Sequence, residues 1–129
     1  MLLAIHHVAI ICADYQRSKH FYTKLLGLKI LAENYRAQRQ SYKLDLQLPD
    51  GSQLELFSFV GAPPRPSQPE AQGLRHLSFA VNDVVKTSEW LQQSGIEVEP
   101  IRIDPYTGAA FTFFADPDGL PLEIYQVAN

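Results

Sequence analysis

The feature that most constrains this chain is a repeat of chemical roles between its two halves. His7 answers to His76, Val8 to Leu77, Ile10 to Phe79, Asp14 to Asp83 and Phe21 to Trp90, all at an offset of 69 residues. Gly27 then answers to Gly95, and Glu55 to Glu123, at an offset of 68, so a single-residue gap reconciles the halves. Few of these residues are identical. What recurs is an order of roles: strand histidine, helix cap, helix stop, strand glutamate. One such pair matches easily by chance, but the whole series does not, and the chain reads as a duplicated unit. Its 129 residues are one domain's worth of chain, long enough to bury a core. The first module covers about residues 1–60, a Pro-rich linker about 61–74, and the second module about 75–129.

Local patterns give the content of each unit. Ala4 to Ile11 alternates as a strand, with Ile5, His7, Ala9 and Ile11 on one face and His6, Val8 and Ile10 on the other. Asp14 is a helix N-cap, Ser18, Phe21, Tyr22, Leu25 and Leu26 recur at helical spacing, and Gly27 is the stop. Leu28 to Glu33 reads as a strand and residues 34 to 41 as a polar loop. Ser41 to Leu48 alternates, with Tyr42, Leu44, Leu46 and Leu48 on one side. Pro49-Asp50-Gly51 then turns the chain into the strand that carries Glu55.

Pro63, Pro64, Pro66 and Pro69 exclude helix or central strand from the stretch that follows. The pattern restarts with a strand from Arg75 to Val81 that carries His76. Asp83 caps a helix predicted to turn Val84, Val85, Leu91 and part of Trp90 inward, and Gly95 ends it. Ile96 to Ile103 and Ala109 to Ala115 read as strands. Asp116-Pro117-Asp118-Gly119 delivers a last strand in which Leu122, Ile124 and Val127 are apolar and Glu123 is not. Each half is thus a β-α-β-β-β unit, and the predicted fold class is α+β with two tandem βαβββ modules.

A formal net charge of −3, with both signs spread along the chain, gives no electrostatic case for a nucleic-acid or membrane partner. Cys12 is the only cysteine, so no intrachain disulfide forms, and a reducing cytoplasm fits. The apolar N-terminus lacks the basic region and cleavage site of a signal peptide, and no run reaches the length of a membrane span. The expectation is a soluble cytoplasmic protein with a small-molecule partner.

The chemistry rests on His7, Glu55, His76 and Glu123. A lone strand histidine is commonly structural, and a lone strand glutamate commonly faces solvent. Four of them in symmetric positions form a different pattern, because an apolar strand tolerates a carboxylate only beside a cation, a donor or a metal. Two imidazoles and two carboxylates suit one divalent ion such as Ni, Zn, Co, Mn or Fe. On an octahedral ion they leave two positions for water or two substrate oxygens. Ala9, Ser78 and Ala80 share the histidine faces and leave room for a cavity. His6, on the opposite face, is excluded from the same ion, and His20 lies in a polar helical stretch.

His7-Val8 with Asp14, Phe21-Tyr22 running to Leu26-Gly27, the second histidine His76, and the Asp116-Pro117-Asp118-Gly119 turn before Glu123 carry a resemblance over nearly the whole chain. On these residues the chain resembles the vicinal oxygen chelate superfamily, and in particular its glyoxalase I (lactoylglutathione lyase) branch. The resemblance implies the glyoxalase/bleomycin resistance/dioxygenase-like fold, a cupped mixed sheet around the metal, often completed in a homodimer. It implies a His/Glu/His/Glu ligand set at His7, Glu55, His76 and Glu123, and no organic cofactor. It further implies a lyase-type isomerisation of a hemithioacetal, with a small α-oxo compound and a thiol as partners. There the metal stabilises an enediolate, and a glutamate moves the proton. Glu123 and Glu55 are the candidates for that catalytic role, with Glu123 preferred.

Two positions depart from the glyoxalase I pattern. Ile11 stands where an arginine is common, and Phe59 where an asparagine is common. The thiol is therefore open, and so are other chemistries of the same scaffold: epimerase, thiol transferase, dioxygenase, or a metal-free cup that sequesters a ligand. Arg36, Arg39, Lys43, Arg65, Arg75 and Arg102 are candidates to hold a substrate carboxylate, and Tyr106, Phe111 and Phe113 to line a pocket.

Overall fold

The structure, a computed structural model, describes residues 1–127; the last two residues of the expected second module lie outside the described residues. The chain divides into two compact units, Met1–Pro64 and the stretch from Arg65 onward.

In the first unit the elements are β1 (His7–Cys12), α1 (Tyr15–His20), β2 (Lys29–Arg36), β3 (Ser41–Gln47) and β4 (Gln53–Ser58). Its sheet runs β1-β4-β3-β2, with β1 parallel to β4 and the other neighbours antiparallel. In the second unit they are β5 (Leu77–Val81), α2 (Val84–Gln93), β6 (Arg102–Ile103), β7 (Ala110–Ala115) and β8 (Pro121–Gln126). That sheet repeats the order as β5-β8-β7-β6, again with one parallel pair, β5 with β8. The α+β class and the two βαβββ modules are what the chain adopts. Among the described residues no helix is long and apolar enough to cross a membrane.

The caps and turns are local chemistry acting as expected. The Asp14 carboxylate accepts from the Arg17 N–H at 3.1 Å, and Asp83 accepts from the Lys86 N–H at 3.0 Å. Each satisfies a donor that the first helical turn leaves unpaired. Asp116 is buried and accepts from the N–H groups of Asp118 and Leu120, both at 2.9 Å. Gly119 follows at φ 81°, a left-handed conformation that a side chain would resist. The gap between the halves has a physical form too. The first helix ends in a π-turn, Phe21–Leu25, which α2 lacks. A π-turn is how a helix absorbs one extra residue without losing its flanking register.

Packing follows strand alternation. Leu44 and Leu46 of β3, with Leu54 and Leu56 of β4, form the buried face of the first sheet. Leu122 and Ile124 of β8, with Thr112 and Phe114 of β7, form that of the second, against Val84 and Leu91 of α2. Each buried leucine contributes about 1.5–3 kcal/mol.

Several sequence expectations are corrected. The first strand begins at His7 rather than Ala4, because residues 1–6 are exposed and find no pairing partner to order them. β2 extends to Arg36, beyond the predicted Glu33, since β3 offers partners as far as Ser41. Ile96 to Ile103 is strand only at Arg102–Ile103; before it Pro100 donates no N–H, and Glu99 N–H reaches Phe113 O at 2.9 Å. Val85 and Trp90 are exposed, because α2 buries the i, i+4, i+7 positions Val84, Ser88 and Leu91. Val127 lies beyond β8 and is exposed.

Candidate functional site

The repeat of roles is a repeat of register. In the first unit Ala9 of β1 stands opposite Glu55 of β4, and His7 lies two residues earlier on β1. In the second, Ser78 of β5 stands opposite Glu123 of β8, and His76 again lies two residues earlier. His7 is in β1, where strand periodicity puts it on the face of Glu55. The expected Arg75–Val81 strand begins only at Leu77, so His76 stands one residue before β5 and reaches Glu123 from the strand's entry. His7 Nδ1 lies 3.4 Å from Glu55 Oε2, and His76 Nε2 lies 3.6 Å from Glu123 Oε1. The glutamates are mostly enclosed, at 13% and 12% side-chain exposure, whereas the histidines are more open, at 39% and 25%. Each unit therefore carries one imidazole–carboxylate pair on the sheet face away from its apolar core. Among the described residues no group of three or more His, Cys, Asp or Glu gathers as a metal would require.

The two pairs differ in their neighbours. Opposite Glu55 on β3 stands Asp45, and Lys43 Nζ reaches Asp45 at 2.7 Å and Glu55 Oε1 at 3.7 Å. Asp45, with Glu55 behind it, holds the Lys43 ammonium above the ordinary lysine range. Opposite Glu123 on β7 stands Phe113, whose ring meets His76 edge-on at 5.0 Å. Glu55 is thus tied into a charged network, and Glu123 sits against an aromatic wall. The Lys43–Asp45 network escaped sequence reasoning. Its signal was there: the alternation that buries Leu44 and Leu46 sends Lys43 and Asp45 to the glutamate face.

His6 also departs from expectation. It precedes β1, so strand alternation does not govern it, and its Nδ1 lies 2.9 Å from His7 Nδ1. His20 is exposed, as predicted.

Within the second unit an open cavity of about 770 Å³ adjoins the His76/Glu123 pair. Arg102, Tyr106, Phe111 and Phe113 are in its lining, so the aromatic candidates line a pocket rather than the core. One wall is the 104–108 turn. Asp104 accepts from the Tyr106 N–H at 2.9 Å and from the Tyr125 hydroxyl at 3.0 Å, and Tyr125 also bonds Thr107. The Tyr106 N–H, then the Tyr125 hydroxyl, hold the Asp104 carboxyl below the usual carboxylate range. An Asp whose folded pKa is depressed contributes stability above its unfolded pKa and loses it as pH falls through the folded value. An NMR titration of Asp104 is expected to give a midpoint below 3.8, the unperturbed value, and Tyr125→Phe is expected to move it upward.

The remaining basic candidates are sorted by their partners. Arg65 is spent on Ser67 Oγ at 2.9 Å and the carbonyls of Leu74 and Arg75 at 2.8 and 3.2 Å. Arg75 is paired with Glu70. Arg36 donates to Ser41 Oγ at 2.9 Å and lies over Phe57 and Phe59. Arg39 is exposed on the turn before β3.

Residues 4–124 match the family described as the Glyoxalase/Bleomycin resistance protein/Dioxygenase superfamily. An uncharacterized protein of Bacillus subtilis (strain 168), YwkD, is 55% identical over 98% of both chains. A 2-epi-5-epi-valiolone epimerase from Actinomyces sp is 29% identical over 97% of this chain and 80% of its own. Among solved structures, a glyoxalase family protein from Enterococcus faecalis is 49% identical with a TM-score of 0.89, over 95% of this chain and 97% of that one. Glyoxalase I from Zea mays shares the fold at a TM-score of 0.82 and 22% identity, over 97% of this chain and 45% of that one.

Proposed function

Because the chain belongs to the Glyoxalase/Bleomycin resistance protein/Dioxygenase superfamily, we propose that its two His/Glu pairs are the halves of one divalent-metal site serving a glyoxalase I-like lyase. The substrate is a small α-oxo compound of the hemithioacetal type. The observation that carries this reading is the identical register of the two pairs, His7 two residues before the partner of Glu55 and His76 two residues before the partner of Glu123. Duplication repeats the register, and retention of the same two residue types at both copies of an otherwise divergent repeat is what supports a shared role.

The donor chemistry fits a divalent ion. Each mostly enclosed carboxylate is faced by an imidazole, a neutral nitrogen ligand beside an anionic oxygen ligand. His7, Glu55, His76 and Glu123 would hold the ion, one per site, with Ni, Zn, Co and Mn all compatible. When bound, the ion supplies Lewis-acid polarisation of adjacent substrate oxygens.

The protein's own groups do the rest. Glu123 would take the proton from the carbon that bears the hydroxyl and the sulfur and return it to the adjacent carbon, the former carbonyl, as the hydroxyl carbon becomes the thioester carbonyl. Glu55, tied to the Lys43–Asp45 network, is the less mobile carboxylate. Phe113 meets the His76 ring edge-on, and Phe111 continues that aromatic wall along the cavity.

A second reading has a specific support. The relative from Actinomyces sp is a 2-epi-5-epi-valiolone epimerase, and where an epimerised carbon lies beside a carbonyl the inversion is a proton removal and return of the kind assigned to Glu123. Metal-loaded protein offered methylglyoxal with glutathione, cysteine and other small thiols distinguishes the two. Metal-dependent thioester formation with at least one thiol is the expected result. A metal-loaded protein that turns over none of them overturns the lyase reading and leaves the epimerase.

A further inference from the structure

Arg102 is the one basic residue in the cavity lining whose donors are not already committed. Its only polar partner among the described residues is Glu99 Oε1, at a long 3.4 Å, and both side chains are more than half exposed. Such a pair contributes little and is readily exchanged for a better acceptor. Yet the guanidinium is not loose. It lies 5.1 Å from the centre of the Phe111 ring and 5.4 Å from that of Phe113, and β6 pairs Arg102 directly with Phe111. Phe111 and Phe113 are perpendicular to each other, so the guanidinium carbon sits in the angle of two rings, and this contact restrains the head group before it meets a carboxylate. Phe113 is the shared neighbour: one side of its environment is Arg102 and the other is His76. The cationic fork therefore stands one phenyl ring away from the His76/Glu123 pair, in the same cavity.

We infer that Arg102 is the specificity residue of this site, and that the substrate is a short oxo- or hydroxy-acid carrying a carboxylate at the end remote from its vicinal oxygens. The inference rests on the metal-site reading for the oxygens and on the cavity of the second unit for the carboxylate. Arg65 is held by Ser67 and two backbone carbonyls, and Arg75, though exposed, engages both carboxylate oxygens of Glu70 where Arg102 has one long contact.

The test uses two probes that share a chelating group, the monohydroxamate of succinic acid and its neutral methyl ester, titrated calorimetrically into zinc-loaded protein. The acid is expected to bind about tenfold more tightly than the ester, the size of one charge-assisted contact at a part-exposed site. Arg102→Gln is expected to erase that difference and leave the ester's Kd unchanged, and Arg102→Lys to restore part of it. Equal affinities in the wild type, or a preference that survives in Arg102→Gln, overturns the inference while the metal reading stands. If the ester does not bind, the metal reading falls. The acid alone then decides: saturable binding lost in Arg102→Gln keeps the carboxylate clamp, and its absence overturns it.

Discussion

Glu123→Gln is expected to lower turnover by about 10²–10⁴-fold, the usual contribution of a positioned general base. The substitution keeps the side chain's shape and an oxygen near His76 while removing the basic group. Glu55→Gln is expected to cost less, and to recover much of its loss at raised metal concentration, because its defect is in holding the ion. The asymmetry comes from the neighbours. Glu55 stands opposite Asp45 with Lys43 Nζ at 3.7 Å, whereas Glu123 stands opposite Phe113. A carboxylate held by a lysine does not swing toward a substrate carbon as readily as one beside an aromatic ring. Turnover measured with saturating metal checks this. Equal losses in the two variants, or a larger loss in Glu55→Gln, would move the base to Glu55.

Leu122→Ala is expected to destabilise the protein by about 2–5 kcal/mol, the range for a fully buried leucine whose cavity does not collapse. Leu122 has no exposed surface and lies between Leu77 on β5 and Phe114 on β7. It is also the residue before Glu123, so it anchors the strand that positions the carboxylate. The urea midpoint is expected to fall with little change in slope. A loss below about 1 kcal/mol would contradict a tightly packed core at this point.

Much of this arrangement is legible in the residues because it is local. Asp14 and Asp83 cap helices, and Asp116 and Gly119 make a turn, through groups only a few positions away. The Leu44/Leu46 alternation is legible for the same reason. What is not legible depends on partners far along the chain. β2 runs to Arg36 because β3 pairs with it, and the segment before Arg102 fails as a strand because Pro100 interrupts the ladder. Trp90 aligns with buried Phe21 yet is exposed, since the second helix buries a different stripe. In the site, the two His/Glu pairs follow from duplication and spacing alone. For Lys43 and Asp45 alternation gives the face but not the neighbour, and the Arg102 contact with Phe111 and Phe113 is not legible, because each pairing requires knowing which strand lies beside which.

The most direct test of the shared site is metal stoichiometry in the two pair variants. Untagged protein is loaded with nickel or zinc, freed of excess, and analysed for bound metal as wild type, as His7→Ala/Glu55→Ala and as His76→Ala/Glu123→Ala. One site built from both pairs predicts about one ion per chain in the wild type and loss of that ion in either double variant. If each double variant keeps half of the metal, the pairs are two independent sites. If the wild type takes up none, the His/Glu pairs are not metal ligands at all.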